Sequence, residues 1–232
     1  MTELKIPGFV DLQVNGFEGV DFSGSELTEE SFTRAASSLL RRGTAAFLPT
    51  IITCPREQLM RNIAIINAAV EKNEEFAGRV LGFHLEGPFI SSEPGAVGAH
   101  PPESVSAPDI KFFDELYDSS KGRIRLMTVA AEVEGMADLV RHAVSRGVAV
   151  SCGHELARPA DLSNMAEAGA TSLTHLGNGM PNMVHRHDNP LLAGLAEERL
   201  KIMFIPDGHH LPSHVLRVFA RAAGAVRLVA TS

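Results

Sequence analysis

The 232-residue sequence predicts an α/β fold, a TIM-type (β/α)8 barrel, and three observations lead to that fold class. Short apolar runs of strand type alternate with longer segments of helical period, the order that builds a parallel sheet from βα units. Eight such runs and seven intervening helices can be placed without a break in composition, so residues 1–232 are expected to form a single barrel domain. Several runs end in polar side chains, and the carboxyl ends of barrel strands are where catalytic side chains lie.

In the first half of the chain, turn and capping residues separate the elements. Asn15-Gly16 closes the first strand, Thr28 is a candidate N-cap of the first helix, and Gly43 ends that helix. Pro55 opens the second helix, whose buried face is predicted to contain Leu59, Ile63, Ile66 and Val70. Strands are expected at residues 9–14, 45–52, 80–85 and 124–130, and the first and third helices at 28–42 and 109–117.

The second half of the chain continues the same alternation. Strands are expected at residues 148–152, 172–176, 200–205 and 226–231, and helices at 136–146, 159–168, 191–198 and 212–223. Within the first half, between the third strand and the third helix, residues 91–108 contain four prolines and no clean period. This segment is expected to be a long loop over the strand ends, a type of loop that commonly carries function.

Composition excludes several classes of protein. A net charge of −7 provides no basic surface for nucleic acid, and no apolar run reaches the roughly 18 residues of a membrane span. No secretory leader precedes the first strand. The two cysteines, Cys54 and Cys152, follow no metal-knuckle or redox spacing. We therefore expect a reduced, cytoplasmic chain without nucleic-acid or membrane partners.

A candidate metal site is centred on the third predicted strand. His84 and Glu86 are two residues apart, hence on one side of the strand, and Gly87-Pro88 then ends it. With His154 and His175 at the ends of later strands, Glu86 could complete a common zinc set of one carboxylate and two imidazoles, with an open position for water. His84 is either an outer hydrogen-bond donor to this site or a structural residue.

Several motifs carry a resemblance to a known family. They are HLEGPFI at 84–90, GAHP at 98–101, GH at 153–154, THL at 174–176, NGMP at 178–181, DGHH at 207–210 and PGFVDLQVNG at 7–16. Together they resemble the N-acetylglucosamine-6-phosphate deacetylases of the amidohydrolase superfamily, over essentially the whole chain. The resemblance implies a metal-dependent hydrolase that removes acetate from N-acetylglucosamine 6-phosphate or a closely related N-acetyl amino-sugar phosphate.

The resemblance also implies a ligand set. Glu86, His154 and His175 match the ligands of a single divalent metal ion, expected to be zinc. Gln13 and Asn15 stand where many amidohydrolases have a His-x-His pair that binds a second metal. Because amides are poorer zinc ligands than imidazoles, one ion is expected.

Further residues match positions that bind or activate the substrate. His210 matches a histidine that polarises the substrate carbonyl, and Asn178 with Gly179 matches a phosphate-binding loop. Substrate contacts are also expected from Gln13, Asn15 and His100. Arg186 resembles an arginine that reaches the phosphate of the neighbouring subunit's substrate, which implies a homodimer; alternatively, it is a solvated loop charge.

The chain departs from the family pattern at its ends and in one loop. It lacks the stretch before the first strand that forms a small β-sandwich, and no eighth helix follows the last strand, so we expect a barrel truncated after strand eight. The family's general acid and base is an aspartate expected at or just after Ser232, and it is absent from these residues. The chain is therefore expected to turn over far more slowly than a version extended through that aspartate, with Asp207 as the alternative proton shuttle. Gly177, Gly179 and the setting of Arg186 are also unusual for the family.

Two other functions stay open from the sequence. One is a different amidohydrolase reaction, on a cyclic amide or a base, which is disfavoured because Gln13 and Asn15 replace the histidine pair of those enzymes. The other is a catalytically impaired barrel fragment that only binds metal or sugar phosphate.

Overall fold

The structure is a computed structural model that describes residues 7–232. In this range eight strands belong to one sheet: β1 (Phe9–Val14), β2 (Thr44–Ile52), β3 (Phe83–Glu86), β4 (Ile124–Val129), β5 (Ala149–Cys152), β6 (Ser172–Leu173), β7 (Lys201–Phe204) and β8 (Leu228–Ala230). The α-helices are α1 (Glu29–Arg41), α2 (Arg56–Lys72), α3 (Ile110–Ser119), α4 (Met136–Ser145), α5 (Pro159–Ala168), α6 (Pro190–Ala196) and α7 (Ser213–Arg227). The two 3-10 turns are Glu74–Phe76 and Pro102–Ser104.

The strands follow one another around the sheet in chain order, and every ladder between neighbours is parallel. Each strand is connected to the next by a segment that contains a helix, which is the (β/α)8 arrangement predicted from the sequence. In the register of the central ladders, Thr50 lies opposite His84, and Glu86 lies opposite Thr128. The parallel register brings the carboxyl ends of β2 to β8 to one rim.

The seam between β1 and β8 has no backbone ladder among the described residues. It is bridged by a carboxylate instead: Asp11 Oδ1 accepts hydrogen bonds from Thr231 Oγ1 at 2.8 Å and from the Ser232 amide at 3.3 Å. Ser232 Oγ also donates to the Gln13 carbonyl at 3.1 Å. The barrel is therefore nearly closed, with side chains in place of one ladder.

The helices were predicted to within a few residues, and their caps explain where they begin. Thr28 Oγ1 accepts from the Ser31 amide at 3.1 Å and so caps α1, as the sequence predicted. Pro55 lies just outside α2, and Asp109 caps α3 by accepting from the Phe112 amide. The helix predicted at 212–223 extends to Arg227 as α7, with a kink at Gly224, whose φ of 66° is not helical.

Several strands are shorter than predicted. β7 spans only Lys201–Phe204, and β8 begins at Leu228 rather than residue 226 because α7 continues to Arg227. β3 begins at Phe83 rather than residue 80, because Gly82 adopts a φ of 142° and Val80 contributes only an isolated bridge to Phe47. β6 ends at Leu173 rather than residue 176, because the chain turns away there and reaches His175 with a φ of 30°. A small antiparallel hairpin, Gly16–Phe17 with Val20–Asp21, follows β1 and had no signal in the sequence.

The core lies between the barrel and the helices. Its largest fully buried side chains are phenylalanines, and Phe22, Phe32 and Phe76 make successive tilted or edge contacts next to α1 and α2. Burial of such a side chain stabilises the fold by about 1.5 to 3 kcal/mol. The helices are thereby fixed against the strands, and the rim loops are positioned relative to one another.

Part of the expectation about a segment before the first strand concerns residues 1–6. These residues lie outside the described range. Within residues 7–232, none of the helices has the length and apolar character needed to cross a membrane.

Candidate metal centre

Three side chains converge at the carboxyl rim of the barrel. Glu86 is the last residue of β3, while His154 and His175 each follow the end of their strand by two residues. Glu86 Oε1 lies 3.1 Å from His154 Nε2 and 2.7 Å from His175 Nε2, and the two Nε2 atoms are 3.1 Å apart. All three side chains are buried, and their ligand atoms lie within 4.8 Å of one another.

This donor set fits a metal ion. His154 Nδ1 lies 2.9 Å from the Ala96 carbonyl, which can only accept, so Nδ1 carries the proton and Nε2 offers a lone pair to the centre. For tetrahedral zinc with bonds near 2.0 to 2.1 Å, neighbouring ligand atoms lie about 3.3 Å apart. The observed separations of 2.7 to 3.1 Å are close to that value. In contrast to His154, His175 Nδ1 is buried without a hydrogen-bond partner among the described residues.

The electrostatics favour an anionic Glu86. Burial by itself raises the pKa of this carboxyl group, but the adjacent His154 and His175 outweigh burial and hold the pKa well below its usual value. Glu86 is therefore a carboxylate at neutral pH and supplies the negative charge of the set.

Amide side chains from β1 and the residue after it orient this carboxylate. Gln13 Nε2 donates to Glu86 Oε1 at 3.1 Å, and Asn15 Nδ2 donates to Oε2 at 3.4 Å. Each carboxylate oxygen thus accepts a hydrogen bond from one side-chain amide. The two amides occupy the rim where a second metal would need ligands, consistent with the expectation of a single ion.

His100, which was predicted to contact the substrate, lies directly beside His154 of the candidate metal centre. Its Nε2 lies 3.2 Å from His154 Nε2, and its Nδ1 lies 2.8 Å from Thr53 Oγ1. Burial and the nearby His154 lower the pKa of His100 to about 3, so its ring is neutral. The supporting residues Thr53 and Ala96 were not predicted, because an isolated threonine or alanine in a loop carries no pattern.

Backbone strain accompanies the two histidines of the candidate metal centre. His154 has a φ of 52° and His175 a φ of 30°, in a region that costs a non-glycine residue of order 1 to 3 kcal/mol. Two glycines flank the His154 ring: a Cβ atom at Gly98 would lie 3.1 Å from Cε1, and one at Gly179 would lie 2.9 Å from Nδ1. The loops after β3 and β6 therefore pack directly against this ring.

His84 does not contact the three converging residues through hydrogen bonds. Its ring lies between Thr50 Oγ1, at 3.3 Å from Nδ1, and Thr128 Oγ1, at 2.7 Å from Nε2. Burial lowers the pKa of His84 to about 4, although the Glu86 charge opposes that shift. His84 is therefore a neutral imidazole in the barrel interior.

A cavity of about 890 Å³ opens above the centre. Most of the residues predicted to contact substrate line it: Gln13, Asn15, His100, Asn178, Gly179 and His210. Asp207 Oδ2 accepts a hydrogen bond from His210 Nδ1 at 2.8 Å, so His210 Nε2 is left for a ligand. Asn178 Nδ2 donates to the His175 carbonyl at 3.2 Å. Arg186 is exposed and does not line this cavity.

Two carboxyl groups behind His154, the buried Glu155 and the half-buried Glu132, were missed by the sequence reasoning. Glu155 Oε2 accepts from the Ala131 amide at 3.0 Å, and Glu132 Oε1 accepts from the Leu156 amide at 2.8 Å, so the loops after β4 and β5 are reciprocally linked. Burial raises the pKa of Glu155 to about 8. The only signal for Glu155 was its place next to a predicted ligand.

Comparisons with known proteins agree with the motifs. No protein-family model matches the chain. The chain is 31% identical over 228 residues to N-acetylglucosamine-6-phosphate deacetylase from Bacillus subtilis, covering 97% of this chain and 56% of the relative. It is 33% identical over 216 residues to N-acetylgalactosamine-6-phosphate deacetylase from Escherichia coli O157:H7, covering 90% of this chain and 54% of the relative.

Solved structures give the same result. The chain superposes with a TM-score of 0.87 and 30% identity on a mutant N-acetyl-D-glucosamine-6-phosphate deacetylase from Mycobacterium smegmatis in complex with N-acetyl-D-glucosamine-6-phosphate, covering 98% of this chain and 57% of that one. A deacetylase from Thermotoga maritima gives a TM-score of 0.82 at 26% identity and 58% coverage of its chain. The resemblance and the barrel fold are thus confirmed, and the chain spans little more than half the length of the curated relatives it matches.

Proposed function

We propose, from the relationship to these deacetylases, that the chain forms the catalytic barrel of a metal-dependent deacetylase. The substrate would be N-acetylglucosamine 6-phosphate or a closely related N-acetyl amino-sugar phosphate, and the products acetate and the free amino sugar phosphate. The single observation that carries the proposal is the convergence of Glu86, His154 and His175 on one point at the floor of the cavity. The comparisons do not favour a different amidohydrolase reaction.

Glu86, His154 and His175 would hold one zinc ion. When bound, zinc supplies Lewis-acid chemistry, because it lowers the pKa of a coordinated water to about 7 and polarises a carbonyl group. Gln13 and Asn15 keep the Glu86 carboxylate in place through their amide hydrogen bonds. His100 and His210 face the same cavity, where an N–H donor stabilises negative charge that develops on the amide oxygen.

The phosphate end of the substrate would lie beside the loop that contains Asn178 and Gly179. The loop with Asn178 and Gly179 lines the cavity, and its backbone can approach a ligand closely because Gly179 has a φ of 60°. Arg186 lies on an exposed loop outside the cavity lining, a location that suits a contact with a substrate in a second subunit. We therefore retain the homodimer as part of the proposal.

We also propose that residues 1–232 form one barrel domain and that the protein is located in the cytoplasm. Cys54 and Cys152, the only cysteines of the chain, are buried and unpaired, as expected where thiols stay reduced.

The substrate assignment is tested by comparing the affinity of N-acetylglucosamine 6-phosphate with that of N-acetylglucosamine, by calorimetry on the zinc-loaded protein. The phosphorylated sugar should bind about 10- to 100-fold more tightly, as expected for charge-assisted contacts worth about 1.5 to 3 kcal/mol. Arg186→Ala should remove most of this preference, whereas the control Arg141→Ala, on the exposed surface of α4, should retain it. Equal affinities of the unchanged protein for the two sugars would show that the phosphate assignment is wrong.

A further inference from the structure

A continuous chain of buried polar side chains crosses the barrel interior below the metal centre. Thr50 on β2 contacts His84 Nδ1 at 3.3 Å, and His84 Nε2 contacts Thr128 Oγ1 on β4 at 2.7 Å. Thr128 Oγ1 lies 2.7 Å from Thr174 Oγ1, which donates to Ser151 Oγ on β5 at 2.7 Å. All five residues are at most 2% exposed. We name these five residues, Thr50, His84, Thr128, Ser151 and Thr174, the interior chain.

The direction of the hydrogen bonds follows from counting protons. Each hydroxyl group has one hydrogen to donate. Because Thr174 donates to Ser151, the contact between Thr128 and Thr174 requires Thr128 to be the donor. Thr128 then has no hydrogen left for His84, so His84 Nε2 must carry the proton that it donates to Thr128. His84 Nε2 thus donates to Thr128, and His84 Nδ1 lies 3.3 Å from Thr50 Oγ1.

The interior chain touches all three strands that deliver the proposed ligands. His84 lies two residues before Glu86 on β3, on the same side of the strand. Ser151 lies on β5, three residues before His154, and Thr174 immediately precedes His175. In the part of the chain that the structure describes, no hydrogen bond joins the interior chain to the ligand atoms of those three residues. Its influence on them must therefore act through position.

The need for such support is greatest at His175. The β5–β6 ladder pairs only Ser151 with Ser172 and Cys152 with Leu173, and β6 is two residues long. Beyond this ladder, the Thr174 amide still donates to the Cys152 carbonyl at 2.7 Å, but His175 itself adopts a strained φ of 30°. The side-chain bonds of Thr174 to Thr128 and Ser151 thus hold the segment that presents His175.

We propose that the interior chain is a positioning network for the metal centre: its hydrogen bonds set the spacing of β3, β5 and β6, and so align Glu86, His154 and His175 for a single ion. This role rests on the metal site of the proposed function. Groups that orient metal ligands from outside typically change metal affinity by 10- to 100-fold when removed.

Thr174→Val tests the role because valine keeps the shape of threonine and removes its hydroxyl group. The full chain is titrated with zinc in competition with a chromophoric chelator, and its cobalt form is examined by visible absorption spectroscopy. Thr174→Val should bind zinc at least about tenfold more weakly and show shifted cobalt bands, whereas Thr174→Ser should restore both to nearly the values of the unchanged protein. Ser120→Ala, which removes a fully buried hydroxyl group bonded to Tyr117, is the matched control and should leave both unchanged.

Ser151→Ala removes the last acceptor of the network and serves as the second variant if Thr174→Val does not fold. It should weaken zinc binding in the same direction. Unchanged zinc affinity and cobalt bands in a folded Thr174→Val or Ser151→Ala protein would overturn the positioning role while leaving the proposed function intact. Failure of the unchanged protein to bind zinc at all would overturn the metal site and the positioning role together.

Discussion

Two sides of the barrel hold the chain together by different means. On the side of β3 to β6, which carries the proposed ligands, each pair of neighbouring strands forms a parallel ladder, the β5–β6 ladder being only two pairs long, and the polar residues inside the barrel are nearly fully buried. At the seam between β1 and β8, the described residues form no ladder, and Phe9 and Val10 are 67% and 52% exposed. The comparison teaches that on the side of the proposed ligands the backbone is held by both ladders and buried side-chain hydrogen bonds, which is the support that the strained His154 and His175 require.

The seam between β1 and β8 joins the two ends of the sheet and does not position the metal centre. Asp11 accepts three hydrogen bonds, from the Gln13 backbone amide, Thr231 Oγ1 and the Ser232 amide. The last two cross the seam and substitute there for backbone bonds. A half-buried carboxylate with such partners contributes to stability, but it is accessible to water and imposes no spacing on the metal centre. Substitutions on the two sides should therefore separate metal affinity from stability.

Glu86→Gln should have the largest effect on metal affinity. Glutamine keeps the size of the side chain but removes the only anionic group among the proposed ligands. Loss of a residue that hydrogen-bonds to a metal ligand lowers metal affinity by about 10- to 100-fold, and Glu86→Gln should lower zinc affinity by more than that. Elemental analysis after dialysis, together with a zinc titration, measures the loss. Retention of one zinc per chain in this variant would show that Glu86 is not a ligand.

The ligand side should also make stability depend on pH. The folded pKa of His84 is about 4, below its value of 6.5 in an unfolded chain, so the unfolded state binds the proton first as the pH falls. The stability due to neutral His84 is complete above pH 6.5 and is lost as the pH falls toward 4. From this residue, the free energy of unfolding of the metal-free protein should be about 2 kcal/mol lower at pH 5 than at pH 8.

Urea unfolding in the presence of a chelator, at several values between pH 8 and pH 5, measures this dependence. His84→Asn removes the titrating ring and should have a shallower pH dependence from a lower starting stability. If the unchanged protein and His84→Asn have the same slope, His84 does not titrate as its burial predicts.

Asp11→Ala should have the smallest effect on the metal and a clear effect on stability. Loss of the acceptor for three hydrogen bonds, two of which cross the seam, should lower the free energy of unfolding by about 1 to 3 kcal/mol. Zinc affinity should change less than in Glu86→Gln, because Asp11 reaches the centre only through Gln13. Asp138→Ala, which removes an exposed carboxylate paired with Arg141 on α4, is the control and should stay within about 0.5 kcal/mol. A loss of zinc affinity in Asp11→Ala as large as in Glu86→Gln would contradict the separation of the two sides.

The elements of the fold could be predicted from the sequence because their signals are local. Capping residues such as Thr28 and the periodic apolar face of α2 act over a few residues. Polar residues at the ends of apolar runs likewise predict which residues lie at the carboxyl rim of the barrel. Errors arose where tertiary contacts act on the backbone: Gly82 approaches the Arg123 carbonyl and shortens β3, and the turn at His175 shortens β6.

The sequence by itself determined which residues could bind a metal, because carboxylate and imidazole chemistry is a property of each side chain. Only the tertiary structure decided that Glu86 and His154, 68 residues apart, lie within 3.1 Å, and that His100 adjoins them. The same holds for the interior chain, whose threonines and serine look like ordinary strand residues in the sequence. Their meeting depends on the register of five strands around the barrel, and register is a long-range property that no local pattern contains.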